Sequence, residues 1–207
     1  MEKRFDNIII GFGKGGKTLA AALAAKGQST AIVEKDANMY GGTCINVACI
    51  PSKSLEHSAR LSAAQGGDFE VRAKRYSAAI AQKRGLCAML RQKNYEKAIA
   101  SGVSVLTGSA SFTDPHHVSV SYPNNAGEEL FGQRIFINTG ARPFIPPVPG
   151  LRESRFAYTS ETLMELDSLP RRLAVIGGGY IGLEFASYYT NFGSEVTVIQ
   201  DQEAFIP

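Results

Sequence analysis

The chain has 207 residues, 44% hydrophobic and 20% charged, which suits one large globular domain or two modest ones. Its net charge of +3 is too weak to argue for nucleic acid or an anionic membrane as a partner, and no stretch reaches the roughly 18 consecutive apolar residues of a membrane span. Three cysteines are too few for a secreted disulfide scaffold, so a close pair among them points to redox or metal chemistry in a cytoplasmic setting.

The chain opens with MEKRFDNIII, a short apolar run soon broken by Lys14 and Lys17, with no small-residue cleavage site behind it. No signal peptide is expected. The run NIII predicts a strand, GFGKGG a tight turn, the next residues a helix, and TAIV a second strand. In this G-x-G-x-x-G turn, Gly11 permits the bend, Gly13 lets a pyrophosphate approach the backbone, and Gly16 lets the helix pack on the strand. The helix start then offers unpaired N–H groups to phosphate. Glu34 closes the unit 18 residues after Gly16, where a carboxylate can accept from ribose hydroxyls.

Next comes YGGTCINVACIPSK, with Cys44 and Cys49 five apart. Residues 51–64 and roughly 74–100 read as helices. The second carries Lys74, Arg75, Lys83, Arg84, Arg91, Lys93 and Lys97, read as a solvated face. Cys87, in GLCAML, reads as a small core residue. Strands are predicted near 103–107, 110–121 and 129–138, with PNNAG as a turn. His116 and His117 follow Asp114-Pro115. Neighbouring residues on a strand point to opposite faces, so a surface turn is expected there rather than a shared metal.

The last segment repeats the first. GGGYIGLEFASYYTNFGSEVTVIQ matches GFGKGGKTLAAALAAKGQSTAIVE at a constant offset of 166, with Gly177, Gly179, Gly182 and Gly193 against Gly11, Gly13, Gly16 and Gly27. The second unit ends in Gln200 instead of an acid, followed by Asp201, and no Arg lies between 194 and 207 to meet a 2′-phosphate. That mildly favours NAD over NADP.

Cys44 and Cys49 can be core thiols, a metal pair or a disulfide. Zinc-type spacings are usually two to four residues, and no second ligand cluster follows, so metal is the weakest of the three. On a regular helix, residues five apart are separated by roughly 8–9 Å at Cα, whereas a disulfide usually wants about 4.4–6.8 Å. A bond there requires a bent or unwound helix and would be readily reduced. Pro51 suits the first turn of a helix beginning after Cys49. A Cys49 thiolate would then lie near the positive end of that helix, with Lys53 one turn on.

GGTCINVACIPSK resembles the redox-disulfide signature of the class I pyridine nucleotide-disulfide oxidoreductases, which include glutathione reductase, dihydrolipoamide dehydrogenase and mercuric reductase. GFGKGG with Glu34 is similar to that family's FAD turn. FINTGARPFIPPVPG is similar to its Thr-Gly turn, here Thr139 and Gly140, and LAVIGGGYIGLEFA to its NAD(P)H turn. Within the family, IIGFGKGGKTLA, MYGGTCINVACIPSK and IFINTGA resemble the bacterial reactive-chlorine-resistance reductases, associated with hypohalous and hypothiocyanous oxidants and with copper(II) reduction. One departure is Ala48, where the signature usually has Gly; only a small adjustment is expected.

The resemblance implies an α/β fold. A Rossmann-like FAD-binding domain at 1–150, with a parallel sheet and a small antiparallel meander, would be followed at 151–207 by the start of an NAD(P)H-binding domain. It implies hydride transfer from NADH or NADPH through FAD to a Cys44–Cys49 disulfide, with Cys49 facing the flavin and Cys44 attacking a small oxidant or disulfide substrate. Gly42 and Thr43 would contact FAD, Lys53 would lie beside the flavin with Glu184 as its partner, and Tyr180 would cover the nicotinamide pocket. It further implies a homodimer whose His-Glu acid/base pair lies beyond residue 207, so the chain reads as an N-terminal fragment, inactive alone. The alternatives are a glutathione-, lipoamide- or mercury(II)-reducing member of the family, and a nucleotide-binding redox sensor without turnover.

Overall fold

The structure is a computed structural model and describes residues 3–124, 126–203 and 205. Asn125 of the PNNAG turn lies outside the described residues. Contacts group the chain into two units. The first comprises Met1–Asn46 and Cys87–Arg142, the second Val47–Leu86 and Pro143–Pro207.

The first unit is built on a six-stranded sheet. Its strands are β1 (Lys3–Ile10), β2 (Thr30–Glu34), β3 (Ser104–Thr107), β4 (Ser109–Phe112), β5 (His117–Ser121) and β6 (Gly127–Ile137), in the order β3-β2-β1-β6-β5-β4. The four strands from β3 to β6 run parallel, and β6-β5-β4 form an antiparallel meander. Helix α1 (Lys14–Ala24) connects β1 to β2. Neighbouring side chains on β1 part company as the pleat requires. Ile8 joins Val33, Val118, Val120 and Leu130, while Ile9 joins Phe12, Ala20, Ile32 and Val103. All five residues of β2 are buried, as expected of a parallel strand covered on both faces.

One expected strand, 110–121, is two. Asp114 accepts from the backbone N–H of His116 at 2.7 Å and of His117 at 2.9 Å. This Asx-type turn reverses the chain, and β4 folds back on β5. Both histidine rings pack on Phe131, with centroids 5.9 and 5.3 Å away.

The second unit holds helices α3 (Cys49–Gln65), α5 (Ser160–Leu163) and α6 (Tyr180–Phe192), and the parallel pair β7 (Arg172–Ile176) and β8 (Glu195–Ile199). Between α3 and β3 runs α4 (Phe69–Ala100). It starts earlier than expected because the Asp68 carboxylate accepts from Val71 N at 2.9 Å and caps it. Residues 69–86 of α4 belong to the second unit and the rest to the first. The second unit's core is aromatic: Tyr76, Phe185, Tyr188, Tyr189 and Phe192 pack with Leu55, Ala59 and Ile80. Tyr76 Oη donates to Leu166 O at 2.9 Å and Tyr189 Oη to Leu163 O at 3.1 Å. Burial raises the Tyr76 hydroxyl to about 12, so these rings stay neutral.

The solvated face expected of α4 needs a correction at Lys83, which is only 1% exposed. Its ammonium bonds Glu165, which Arg84 also holds at 2.9 Å; Arg84 reaches Asp167 at 2.7 Å as well. A buried ammonium needs such a partner. Cys87 is buried, as its apolar surroundings suggested.

Candidate active site

In the first unit the glycine turn is tied to both neighbouring strands. Gly11 N donates to Val33 O at 2.8 Å, with Gly11 at φ +105°, a region that favours glycine. A side chain at Gly16 would lie 2.8 Å from Gly11 O. Gly13 caps α1 with extended backbone and no side-chain bond, which leaves the first-turn N–H groups for a ligand. The buried Glu34 carboxylate accepts from Phe12 N at 2.9 Å and Asp36 N at 3.3 Å, linking the end of β2 to the turn. Asn138 went unrecognised in the sequence. Its backbone N–H donates to Ile10 O at 2.8 Å, and its Nδ2 donates to Gly11 O at 3.1 Å. The signal was present in FINTGA, directly before Thr139.

The first half of the cysteine signature packs on the same turn. A Cβ at Gly42 would come within 2.4 Å of Gly13 Cα, so only glycine fits this approach. Asn46, also unrecognised, is buried and donates to Tyr40 O at 3.1 Å and Gly42 O at 2.9 Å, fixing the loop. Gly140 (φ +77°) would place a Cβ 3.8 Å from Thr43 Oγ1, so the residues around 140 reach the start of the cysteine segment. The short helix α2 (Thr43–Asn46) carries the half-buried Cys44. The helix then breaks, and α3 starts afresh at the exposed Cys49. Such an interruption is what a disulfide at this five-residue spacing would require. Ala48 caps α3 with φ −141°, where a methyl group meets no left-handed penalty.

The second unit brings together Cys49, Lys53 and Glu184. Lys53 Nζ lies 2.8 Å from Glu184 Oε1, although 131 residues separate them in sequence. The buried Ser52 hydroxyl donates to the same oxygen at 2.9 Å. The Glu184 carboxylate, by accepting from Lys53, holds that ammonium above the ordinary lysine value. Ser52 was not singled out in the sequence, although it sits inside IPSK.

The second glycine turn copies the first. Gly177 N donates to Val198's neighbour, Ile199 O, at 2.9 Å, with φ +107° at Gly177. A Cβ at Gly182 would meet Gly177 O at 2.1 Å. Gln200 Oε1 accepts from Gly178 N at 2.8 Å, the bond Glu34 makes to Phe12 in the first copy. Gly179 caps α6, and Tyr180 is 76% exposed at its start.

Comparison with known sequences matches residues 5–207 to the family described as pyridine nucleotide-disulphide oxidoreductase. The chain belongs to that family. Among curated members, the probable pyridine nucleotide-disulfide oxidoreductase RclA of Escherichia coli (strain K12) is 43% identical over 205 residues, 99% of this chain and 44% of its own length. A mercuric reductase of Staphylococcus aureus is 34% identical over 206 residues, 96% of this chain and 36% of its own. A solved structure described as the Cu(II) complex of HOCl-induced flavoprotein disulfide reductase RclA from Escherichia coli superposes with a TM-score of 0.90 at 42% identity, covering 100% of this chain and 44% of that one. The chain therefore spans less than half the length of these relatives. The α/β fold expected from the sequence, a largely parallel sheet with a meander, is the one this oxidoreductase family shares. The family's cofactors are FAD and NAD(P)H. Both glycine turns fit a dinucleotide, since the glycine that opens each helix makes no side-chain hydrogen bond to the first-turn N–H groups. Among the described residues, no helix is long and apolar enough to cross a membrane.

Proposed function

We propose that this chain carries the dithiol and nucleotide-binding machinery of a flavin-dependent NAD(P)H:disulfide oxidoreductase that reduces a small oxidant. One observation carries the reading. Within the second unit, the helix opened by Cys49 and the helix behind Gly177-x-Gly179-x-x-Gly182 are joined through Lys53 and Glu184, which couples thiol chemistry to a nucleotide turn.

Residues 1–150 serve FAD and 151–207 begin the NAD(P)H-binding part. Gly11, Gly13, Gly16, Glu34, Gly42, Thr43, Thr139 and Gly140 hold the flavin nucleotide. Gly177, Gly179, Tyr180, Gly182 and Gln200 receive the pyridine nucleotide. FAD, when bound, supplies the two-electron relay between NAD(P)H and the disulfide. Two electrons cleave the Cys44–Cys49 bond to a thiolate and, with one proton, a thiol. Cys49, which opens α3, would face FAD when it is bound, with the helix start favouring its thiolate. Lys53, held charged by Glu184, would offset the negative charge that reduced FAD carries. Cys44 attacks the oxidised substrate; two electrons leave with the substrate and the disulfide re-forms. The likeness to RclA favours hypothiocyanite, reactive chlorine species or copper(II) as the electron acceptor, and a homodimer as the working form.

The test uses the full-length protein. Anaerobic reduction should produce a long-wavelength absorbance band from thiolate beside flavin. Cys44→Ser should keep that band and abolish turnover, and Cys49→Ser should lose it. Loss of the band in Cys44→Ser alone would reverse the thiol roles. NADH oxidation with hypothiocyanite, copper(II), glutathione disulfide, lipoamide and mercury(II) in parallel identifies the acceptor. No turnover with any acceptor, despite a reducible disulfide, would make the pair a sensor.

A further inference from the structure

Lys17 occupies the first turn of α1, its backbone N–H bonded to Gly13 O at 3.0 Å. Its side chain is half-buried, and Nζ donates to Asn94 Oδ1 at 2.5 Å. Asn94 is fixed in turn, since its Nδ2 donates to Leu90 O at 2.7 Å. The Gly41-Gly42 turn lies between these two walls. A Cβ at Gly42 would strike Gly13, and one at Gly41 would come within 3.3 Å of Asn94 Cγ. Lys17 spans the same two walls, and Cys44 follows Gly42 by two residues.

The glycine turn itself does not require this lysine. The second copy has Leu183 at the matching position and makes the same bond, Leu183 N to Gly179 O at 3.0 Å. The charges that act on Lys17 are those of Lys14 on its own helix, Lys97 on α4 and the Cys44 sulfur. Burial, more than anything else, pulls the Lys17 ammonium below the ordinary lysine value, and Lys14 and Lys97 add to that; a Cys44 thiolate opposes them. A half-buried ammonium with two cationic neighbours gains from an anion beside it, and the anion gains equally.

We propose that Lys17, held by Asn94, is a positioning residue that favours loss of the Cys44 thiol proton, so that the thiolate can attack the oxidised substrate. This rests on the reading of Cys44 as the attacking thiol. The thiolate is the nucleophilic form, so Lys17 sets the lowest pH at which the enzyme reacts fast.

The experiment reads Cys44 directly, without turnover. Full-length holoenzyme is reduced with a phosphine, freed of it, and alkylated with iodoacetamide across a pH series, each cysteine being followed by peptide mass spectrometry. Lys17→Met should move the midpoint of Cys44 alkylation upward by about one pH unit, a loss of about ten-fold in rate near neutrality. The alkaline plateau, where the thiolate forms anyway, should be unchanged, as should Cys87. Lys17→Arg should restore the wild-type midpoint, which a packing role would not predict. If Lys17→Met loses its flavin, Lys17→Gln serves for the same measurement. An unmoved midpoint in the charge-removing variant overturns the proposal. A wild-type Cys44 that alkylates no faster than Cys87 overturns the reading of Cys44 as the attacking thiol instead.

Discussion

The two glycine turns share their hydrogen bonds and differ in their burial. Gly11 to Val33 and Gly177 to Ile199 bond at 2.8 and 2.9 Å, and Phe12 to Glu34 and Gly178 to Gln200 at 2.9 and 2.8 Å. Yet β2 is buried throughout, whereas β7 and β8 alternate, with Ile176 52% and Ile199 53% exposed. β2 lies between β1 and β3, while β8 pairs with β7 among the described residues. The turn is thus written within about two dozen residues of sequence, and burial is conferred by strands from elsewhere. A further difference is chemical. Glu184 reaches another helix, but Thr18 at the equivalent place bonds back to Lys14 O at 2.8 Å.

The strongest way to break the comparison is steric. Gly16→Val and Gly182→Val should each disrupt their own turn, at a cost on the order of 3 kcal/mol from overpacking. In the full-length protein, Gly16→Val should abolish flavin retention, read by absorbance. Gly182→Val should keep the flavin and lose its reduction by NAD(P)H. If Gly182→Val also strips the flavin, the two turns are not independent.

Glu184→Thr gives the second copy the residue of the first. Flavin reduction in stopped flow should slow by about 10- to 100-fold. Stability should change by under about 1 kcal/mol, because the Lys53 side chain is 68% exposed. The pH dependence has a defined sign. Glu184 raises Lys53 above its ordinary value of 10.5, so the pair's contribution is complete below that value and is lost as pH rises through the raised one. The wild-type reduction rate should therefore stay flat through neutrality and fall above the ordinary lysine value, and Glu184→Thr should fall at lower pH. An unchanged rate in Glu184→Thr would make the ion pair purely structural.

The mildest change sharpens the comparison instead. Gln200→Glu restores the first copy's acid and can keep the bond to Gly178 N. It should shift kcat/KM toward NADH over NADPH by about ten-fold, through repulsion of a 2′-phosphate. Equal preference before and after would remove Gln200 from coenzyme choice.

Local patterns made much of this legible. The glycine spacings announced both turns, and a disulfide between cysteines five apart would call for the break found between α2 and α3. Lys53 and Glu184 were paired through two signatures 131 residues apart, and they meet at 2.8 Å. The residues that escaped act through tertiary neighbours. Lys83 looked like any other cation on a basic helix until Glu165 arrived from 82 positions away. Asn46 and Asn138 spend their amides on backbone carbonyls, and no spacing rule flags that. The strand at 110–121 was misread because β-propensity continues across Asp114-Pro115, while two hydrogen bonds to one carboxylate decide the reversal.

The approach of Gly42 to Gly13, with a prospective Cβ only 2.4 Å from the other residue's Cα, constrains how this sequence can change over generations. Position 42 cannot gain even a methyl group while Gly13 stays in place, whereas a Cβ at Gly13 would meet Asn138 Nδ2 at 2.9 Å instead. Drift within the thiol signature is channelled to positions such as 48, where the backbone at φ −141° accepts the alanine already found there.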